Sequence, residues 1–211
     1  IRLRLKPMKK SERTRQLLLD TAGRHFQHAG YSASALRDIA VEAGVDVALI
    51  AHYFGSKPGL FTAVFDALLE WHEAVIVSHP DPLSVLIAEF SQPATADGPP
   101  RLGLMLLANA RDPEVGAELR SGFAARVSEP LIGRLSGTVT AQGVALIFAV
   151  FLGLVQARDG LGMADLTGLS EDRQADLLNQ MIGAIADLPE IGPADKAAQG
   201  EASGLPAGLQ N

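Results

Sequence analysis

Residues 34–57, SALRDIAVEAGVDVALIAHYFGSK, set polar and cationic side chains at short intervals around an apolar scaffold. Ser34, Arg37, Tyr53 and Lys57 are of the types that hold phosphate, by hydroxyl donation or by charge. Lys9 and Lys10, at the end of the alternating apolar and basic stretch IRLRLKPMKK, add a basic arm upstream. Between these flanks, Val47, Ala48, Ala51 and His52 share one side of a helix-length segment, with Leu49 and Tyr53 at its margins. Small apolar side chains can touch thymine methyl groups, and an imidazole can bond a base edge or a phosphate. The chemistry this set supports is binding to double-stranded DNA, with phosphate contacts from the flanks and base contacts from the centre.

No comparable set supports catalysis. The chain has no cysteine, no HExxH pair and no glycine-rich phosphate loop following a strand. Asp112 and Glu114 read as the start of a helix, where carboxylates meet free N–H groups. His72 and His79 are lone histidines, short of a metal site. The expectation is no enzyme, no metal and no cofactor.

The DNA-facing residues need two short helices at a steep angle. Ser34 is placed to cap the first, in which Leu36, Ile39, Ala40 and Ala43 follow helical spacing and Arg37, Asp38 and Glu42 take the polar side. Gly44 stops it, Val45 can pack back, and Asp46 caps a second helix over residues 47–53. Ala40 lies four residues before the turn glycine and Ile50 six after it. A small residue at the closest approach and apolar residues that lock the angle define a helix-turn-helix, whose second helix enters the major groove. A helix beginning at Ser11 precedes the pair, with Leu18, Leu19, Ala22 and Phe26 inward, and ends at Gly30. A longer helix follows, with Pro58 in its first turn and Leu60, Phe61, Val64, Leu68, Trp71 and Val75 along it.

Residues 15–64 resemble the N-terminal domain of the tetracycline-repressor (TetR) family of bacterial regulators. The resemblance rests on Leu18, Leu19, Ala22 and Phe26, on Ala29-Gly30-Tyr31, on Asp38-Ile39-Ala40, on Ala43-Gly44-Val45, and on Tyr53-Phe54-Gly55-Ser56-Lys57 with Leu60. It implies a DNA-binding transcriptional regulator, a repressor released by a ligand, that binds a palindromic operator as a homodimer. Three positions depart from the family pattern: Leu49 stands in place of a small hydroxyl residue, Ala51 in place of a phosphate-touching tyrosine, and Asp46 in place of a serine cap. The departures keep the scaffold and alter the reading surface.

The charge distribution agrees. The net charge of −6 conceals ten basic against five acidic residues through position 60, and eight against nineteen beyond it. A basic head on an acidic body suits a protein with one end on phosphate. The composition, rich in Ala, Leu and Gly and poor in alternating β-branched runs, points to an all-α fold. No stretch reaches about twenty apolar residues, as a membrane span requires, and the first residues lack the apolar core of a signal peptide; a cytoplasmic protein without membrane contact is expected.

The expected organisation is a basic arm (1–10), a three-helix helix-turn-helix head (11–56), a helical body for ligand binding and dimerisation (57–188) and a loose tail (189–211). Proline punctuates the body at positions 80, 82, 113 and 130, and residues 92–100, QPATADGPP, form a loop. The resemblance implies an apolar cavity for a small-molecule effector. Its candidate lining is Trp71, Phe90, Met105, Phe123, Phe148 and Phe151, with Asn109, Gln142, Gln156 and Arg158 as polar anchors. It also implies a homodimer joined through the last two helices. The strongly apolar run at residues 143–155 fits that role, and fits a central core helix equally. The competing reading is an all-helical small-molecule-binding or protein-interaction module without specific DNA binding, which leaves the charge split unexplained.

Overall fold

The computed structural model describes residues 9–189. The basic arm is therefore described only at Lys9 and Lys10, and the tail only at Pro189; the remainder of both lies outside the described residues. Among the described residues there are helices and turns and no strand, in keeping with the all-α expectation.

Three helices make the head: α1 (Lys10–His28), α2 (Leu36–Glu42) and α3 (Ala48–Phe54). α1 starts ahead of the expected beginning at Ser11, because Glu12 Oε2 accepts the Lys9 N–H at 2.9 Å, half of a capping box. Its inner face, Leu18, Ala22 and Phe26, is buried together with Ile39 and Ala40 of α2 and Ile50 of α3. Gly44 closes α2 at φ +64°, and the Val45 N–H reaches back to the Ala40 carbonyl at 3.0 Å, the bond that seals a left-handed helix end. A Cβ on Gly44 would meet nothing within 4 Å, so the glycine is required for its backbone angle and not for room. Asp46 Oδ1 then accepts the Ala48 N–H at 2.8 Å and opens α3.

Glu42 ties α2 to α1. Its Oε1 accepts from Arg24 Nη2 at 3.0 Å, and its Oε2 lies 2.8 Å from His25 Nε2. The Arg24 hydrogen bond, aided by His25, holds the Glu42 carboxyl below its ordinary range. A lowered folded-state value means that the tie stabilises fully above the unfolded carboxyl range and is lost as pH falls through the folded value. Because Glu42 is half exposed, Glu42→Gln is expected to cost at most about 1 kcal/mol near neutral pH. The difference from wild type in thermal melting should vanish toward strongly acidic pH; a gap that persists there would remove the charge from the tie.

The body comprises α4 (Lys57–Ser78), α5 (Pro82–Ser91), α6 (Leu102–Asn109), α7 (Gly116–Phe123), α8 (Glu129–Arg134), α9 (Ala141–Val155), α10 (Ala164–Thr167) and α11 (Glu171–Ala186). α4 carries buried Leu60, Phe61 and Val64 beneath the head and Leu69 and Ile76 into the body, so one helix belongs to both cores. Within residues 160–168, α10 forms a short helix.

Two five-residue π turns extend helices. Ala124–Ser128 joins α7 to α8, so the segment runs through Pro130 instead of stopping there; the wider turn sits where proline has no N–H to give. Gln156–Gly160 carries α9 on to make a continuous helix of 20 residues, Ala141–Gly160. That is long and apolar enough to cross a bilayer, contrary to the shorter run expected from sequence. Here one face, with Val144, Ile147, Phe148, Phe151 and Val155, is buried in the body core.

Candidate nucleic-acid interface

α3 presents the expected face. Val47, Ala48, Ala51 and His52 are exposed, while Ile50 between them is fully buried and pins the helix to the head. Leu49 and Tyr53 are half-buried against the core, so Leu49 serves packing more than reading. The His52 and Tyr53 rings meet edge to face, with centroids 5.1 Å apart. The Arg15 guanidinium lies 5.3 Å from the Phe54 ring centroid and holds the end of α3 to α1. Arg37 on α2 and Lys9 and Lys10 at the start of α1 are exposed.

Ser34 does not fit its expected roles. Ala35 occupies the cap position of α2, and Ser34 is buried, its Oγ donating to the Gly30 carbonyl at 2.7 Å. Gly30 ends α1 at φ +80°, and the hydroxyl satisfies the carbonyl freed there. Ser34 is thus withdrawn from phosphate.

Lys57 stands at the start of α4, where its charge opposes the helix dipole. Two neighbours offset this: Nζ lies 4.3 Å from the Tyr31 ring centroid and donates to the Ser32 carbonyl at 3.5 Å. Tyr31 is itself buried, and its hydroxyl donates to Glu114 Oε1 at 2.7 Å. Burial, then the Glu114 bond, push its ionisation far above the usual phenol range. Ser32 Oγ donates to Asp112 Oδ2 at 2.6 Å, which holds that carboxyl low.

These contacts form a joint between head and body that sequence reasoning missed. At its centre Asn109, fully buried, accepts the Tyr31 N–H on Oδ1 at 2.6 Å and donates from Nδ2 to the Phe26 and Met105 carbonyls, each at 2.9 Å. The expected ligand role of Asn109 is replaced by that of a strut from α6 to the end of α1. The polar character of Asn109 in an apolar helix was a signal that it had partners, but not which.

The aromatic set expected to line a cavity is core. Phe90 stacks on Phe151 at 4.4 Å, Phe148 meets Phe151 at 6.3 Å, and Phe123 meets Phe148 edge to face at 4.9 Å. Met105 and Phe151 are fully buried. Large apolar residues fill interiors by default, and these fill this one. Trp71 departs in the other direction: it is 46% exposed and lines a surface groove beside α5.

Comparison with known proteins places this geometry. Residues 18–64 match the family described as bacterial regulatory proteins, tetR family, and residues 84–185 match the tetracyclin repressor-like C-terminal domain. Over 142 residues the chain is 27% identical to the HTH-type transcriptional regulator BetI of Burkholderia thailandensis, covering 65% of this chain and 67% of that one. The fold is shared with a TetR-family regulator from Rhodococcus sp. (TM-score 0.58, 16% identity, 82% of this chain and 98% of that one). It is shared equally with NalD, the secondary repressor of the MexAB-OprM efflux pump in Pseudomonas aeruginosa (TM-score 0.57, 20% identity, 83% and 96%). With both halves matched and the α3 face exposed on its buried anchor, the chain belongs to the tetracycline-repressor family and is a DNA-binding transcriptional regulator.

Proposed function

We propose that the protein acts as a homodimeric, cytoplasmic repressor of a palindromic operator and is released by a small-molecule effector. The observation that carries the DNA half is the exposed face Val47, Ala48, Ala51 and His52, held out by buried Ile50. α3 enters the major groove, His52 and the small apolar residues read bases, and Arg37, Tyr53, Lys57, Lys9 and Lys10 hold phosphates. Dimerisation through α9 and α11 is supported by the outward face of that pair: Leu146 and Met181 are exposed, and Val150, Leu154 and Leu177 line an apolar groove of about 340 Å³. Burying such a face against its twofold mate removes apolar area from water and sets two heads at a fixed spacing.

A gel shift with the DNA upstream of the protein's own gene tests the reading. Specific binding should weaken steeply with salt. Lys57→Ala is expected to weaken all sequences alike and to lower the salt slope by about one per head. His52→Ala is expected to change the preference among sequences. If no sequence were bound better than random duplex, the proposal would fail; equal losses on every sequence would remove His52 from the reading set.

A further inference from the structure

We propose that the groove between α4, α5 and residues 92–101 binds a small amphipathic carboxylate, its apolar body against Trp71 and its carboxylate on Arg101. The inference rests on the reading of the protein as a ligand-responsive regulator and gives that ligand a place and a class. The groove has a volume of about 270 Å³, within reach of a single aromatic or short-chain acid and near the small end of ligand sites. Its walls are Ala67, Leu68, Trp71, Pro99 and Pro100, and its polar end is His72, Glu89, Gln92 and Arg101.

At the polar end Arg101 has no direct ion-pair partner among the described residues. His72 Nδ1 donates to the Leu68 carbonyl at 2.8 Å, and its Nε2 lies 3.0 Å from Glu89 Oε2. Arg158 holds Asp159, with Nε 2.6 Å from Oδ1. Glu89 and Asp159 therefore have partners, and Arg101 forms no ion pair with either, nor with Glu171, the third carboxylate that acts on it. Its guanidinium donates to the Glu89 and Gln92 carbonyls, which uses two of five N–H donors. Burial lowers its pKa, while Glu89, Asp159 and Glu171 act to raise it and Arg158 adds to the lowering. A carboxylate would pair directly with Arg101 and accept the remaining donors, at a place flanked by apolar wall.

The site also touches the head. Gly23 of α1 packs on Pro100 so closely that no side chain fits between them, and the Arg101 N–H donates to Gln27 Oε1 of α1 at 2.8 Å. A ligand pressing on Pro100 and drawing on Arg101 bears on the helix that carries the DNA-binding unit.

Trp71 is the only tryptophan in the chain, so intrinsic tryptophan fluorescence reports this groove alone. The probe is 4-phenylbutyrate, titrated against the full-length protein without DNA, with 4-phenylbutyramide and 4-phenylbutylamine as neutral and cationic counterparts. The expected result is a saturable change with the acid and at least about ten-fold weaker binding of the amide and amine. Arg101→Gln should abolish the preference for the acid. Because Arg101 also caps α5, Ala67→Glu provides a variant at an exposed wall position that leaves the core untouched; it should repel the acid while melting like wild type. Equal binding of acid and amide, tighter binding of the amine, or no Trp71 response to any of the three would overturn the proposal. The promoter gel shift reads DNA binding separately, so loss of one result leaves the other standing.

Discussion

Ala48→Glu should reduce operator binding by at least about 100-fold while the protein folds as well as wild type. Ala48 is the first residue of α3 and is exposed. A carboxylate in the first turn of a helix is favourable for the fold, by about 0.3–1 kcal/mol, because it faces the positive end of the helix dipole. The same carboxylate in the major groove is brought against phosphates and base acceptors and loses water. A like-charge contact of this kind costs several kcal/mol, and a twofold dimer meets it twice. Asp46 adds to the effect, because its own carboxylate is already held at this helix start by the Ala48 N–H. Ala48→Gln, with the same bulk and no charge, separates size from electrostatics and should lose much less. Anisotropy with labelled operator and a parallel thermal melt make the measurement. Binding by Ala48→Glu within about threefold of wild type, with the melt unchanged, would place α3 outside the groove.

The head was legible in the sequence because its determinants are local. Ile39, Ala40, Gly44, Val45 and Ile50 lie within twelve residues, and each does in the fold what its type and spacing imply. Even here a contact with the end of α1 overrode a local rule: Ser34 has the chemistry of a cap but donates to the Gly30 carbonyl, which the end of α1 leaves without a helical donor. The body was legible as helices and not as sites. Phe90 and Phe151 have the same residue type and periodicity whether they line a cavity or stack on each other, as they do. Asn109 meets Tyr31 across 78 positions and Arg158 meets Phe90 across 68. No spacing rule reaches that far, so both looked like ligand anchors when they are internal struts. Trp71 was singled out with the aromatic core, and only its exposure separates it from that group.

The largest stability loss is expected at Arg158. It is buried, with its guanidinium inside a ring of acceptors: Nη1 donates to the Phe90 and Ser91 carbonyls at 3.0 and 3.1 Å and to Gln174 Oε1 at 2.6 Å. Nη2 donates to the Gln92 carbonyl and to Asp159 Oδ2, both at 2.9 Å. The carbonyls are those at the end of α5, which have no helical donor of their own. The π turn Gln156–Gly160 makes the placement possible, since its wider register turns Arg158 inward from the end of an apolar helix. Arg158→Met preserves the volume and removes every donor at once. It leaves the Asp159 carboxylate, only 9% exposed, without a cation, and such breakage costs about 3–5 kcal/mol. At about 2–4 °C per kcal/mol for a chain of this size, the melting temperature should fall by about 6–20 °C at fixed protein concentration. Adding Asp159→Asn should restore part of the loss, because the stranded charge goes with it; a double variant no better than the single would mean that the carbonyls, not the ion pair, set the cost. A loss below about 1 kcal/mol would mean that the ring of acceptors is satisfied in some other way. With α9 and α11 as the proposed dimer interface, the damage should also reach the dimer. Gln174 is held between Arg158 and the Leu166 and Leu169 carbonyls, and it lines the apolar groove of the α9–α11 face. With Arg158 gone, that face loses a fixed point, so the melting temperature of the variant should depend more steeply on protein concentration than that of the wild type.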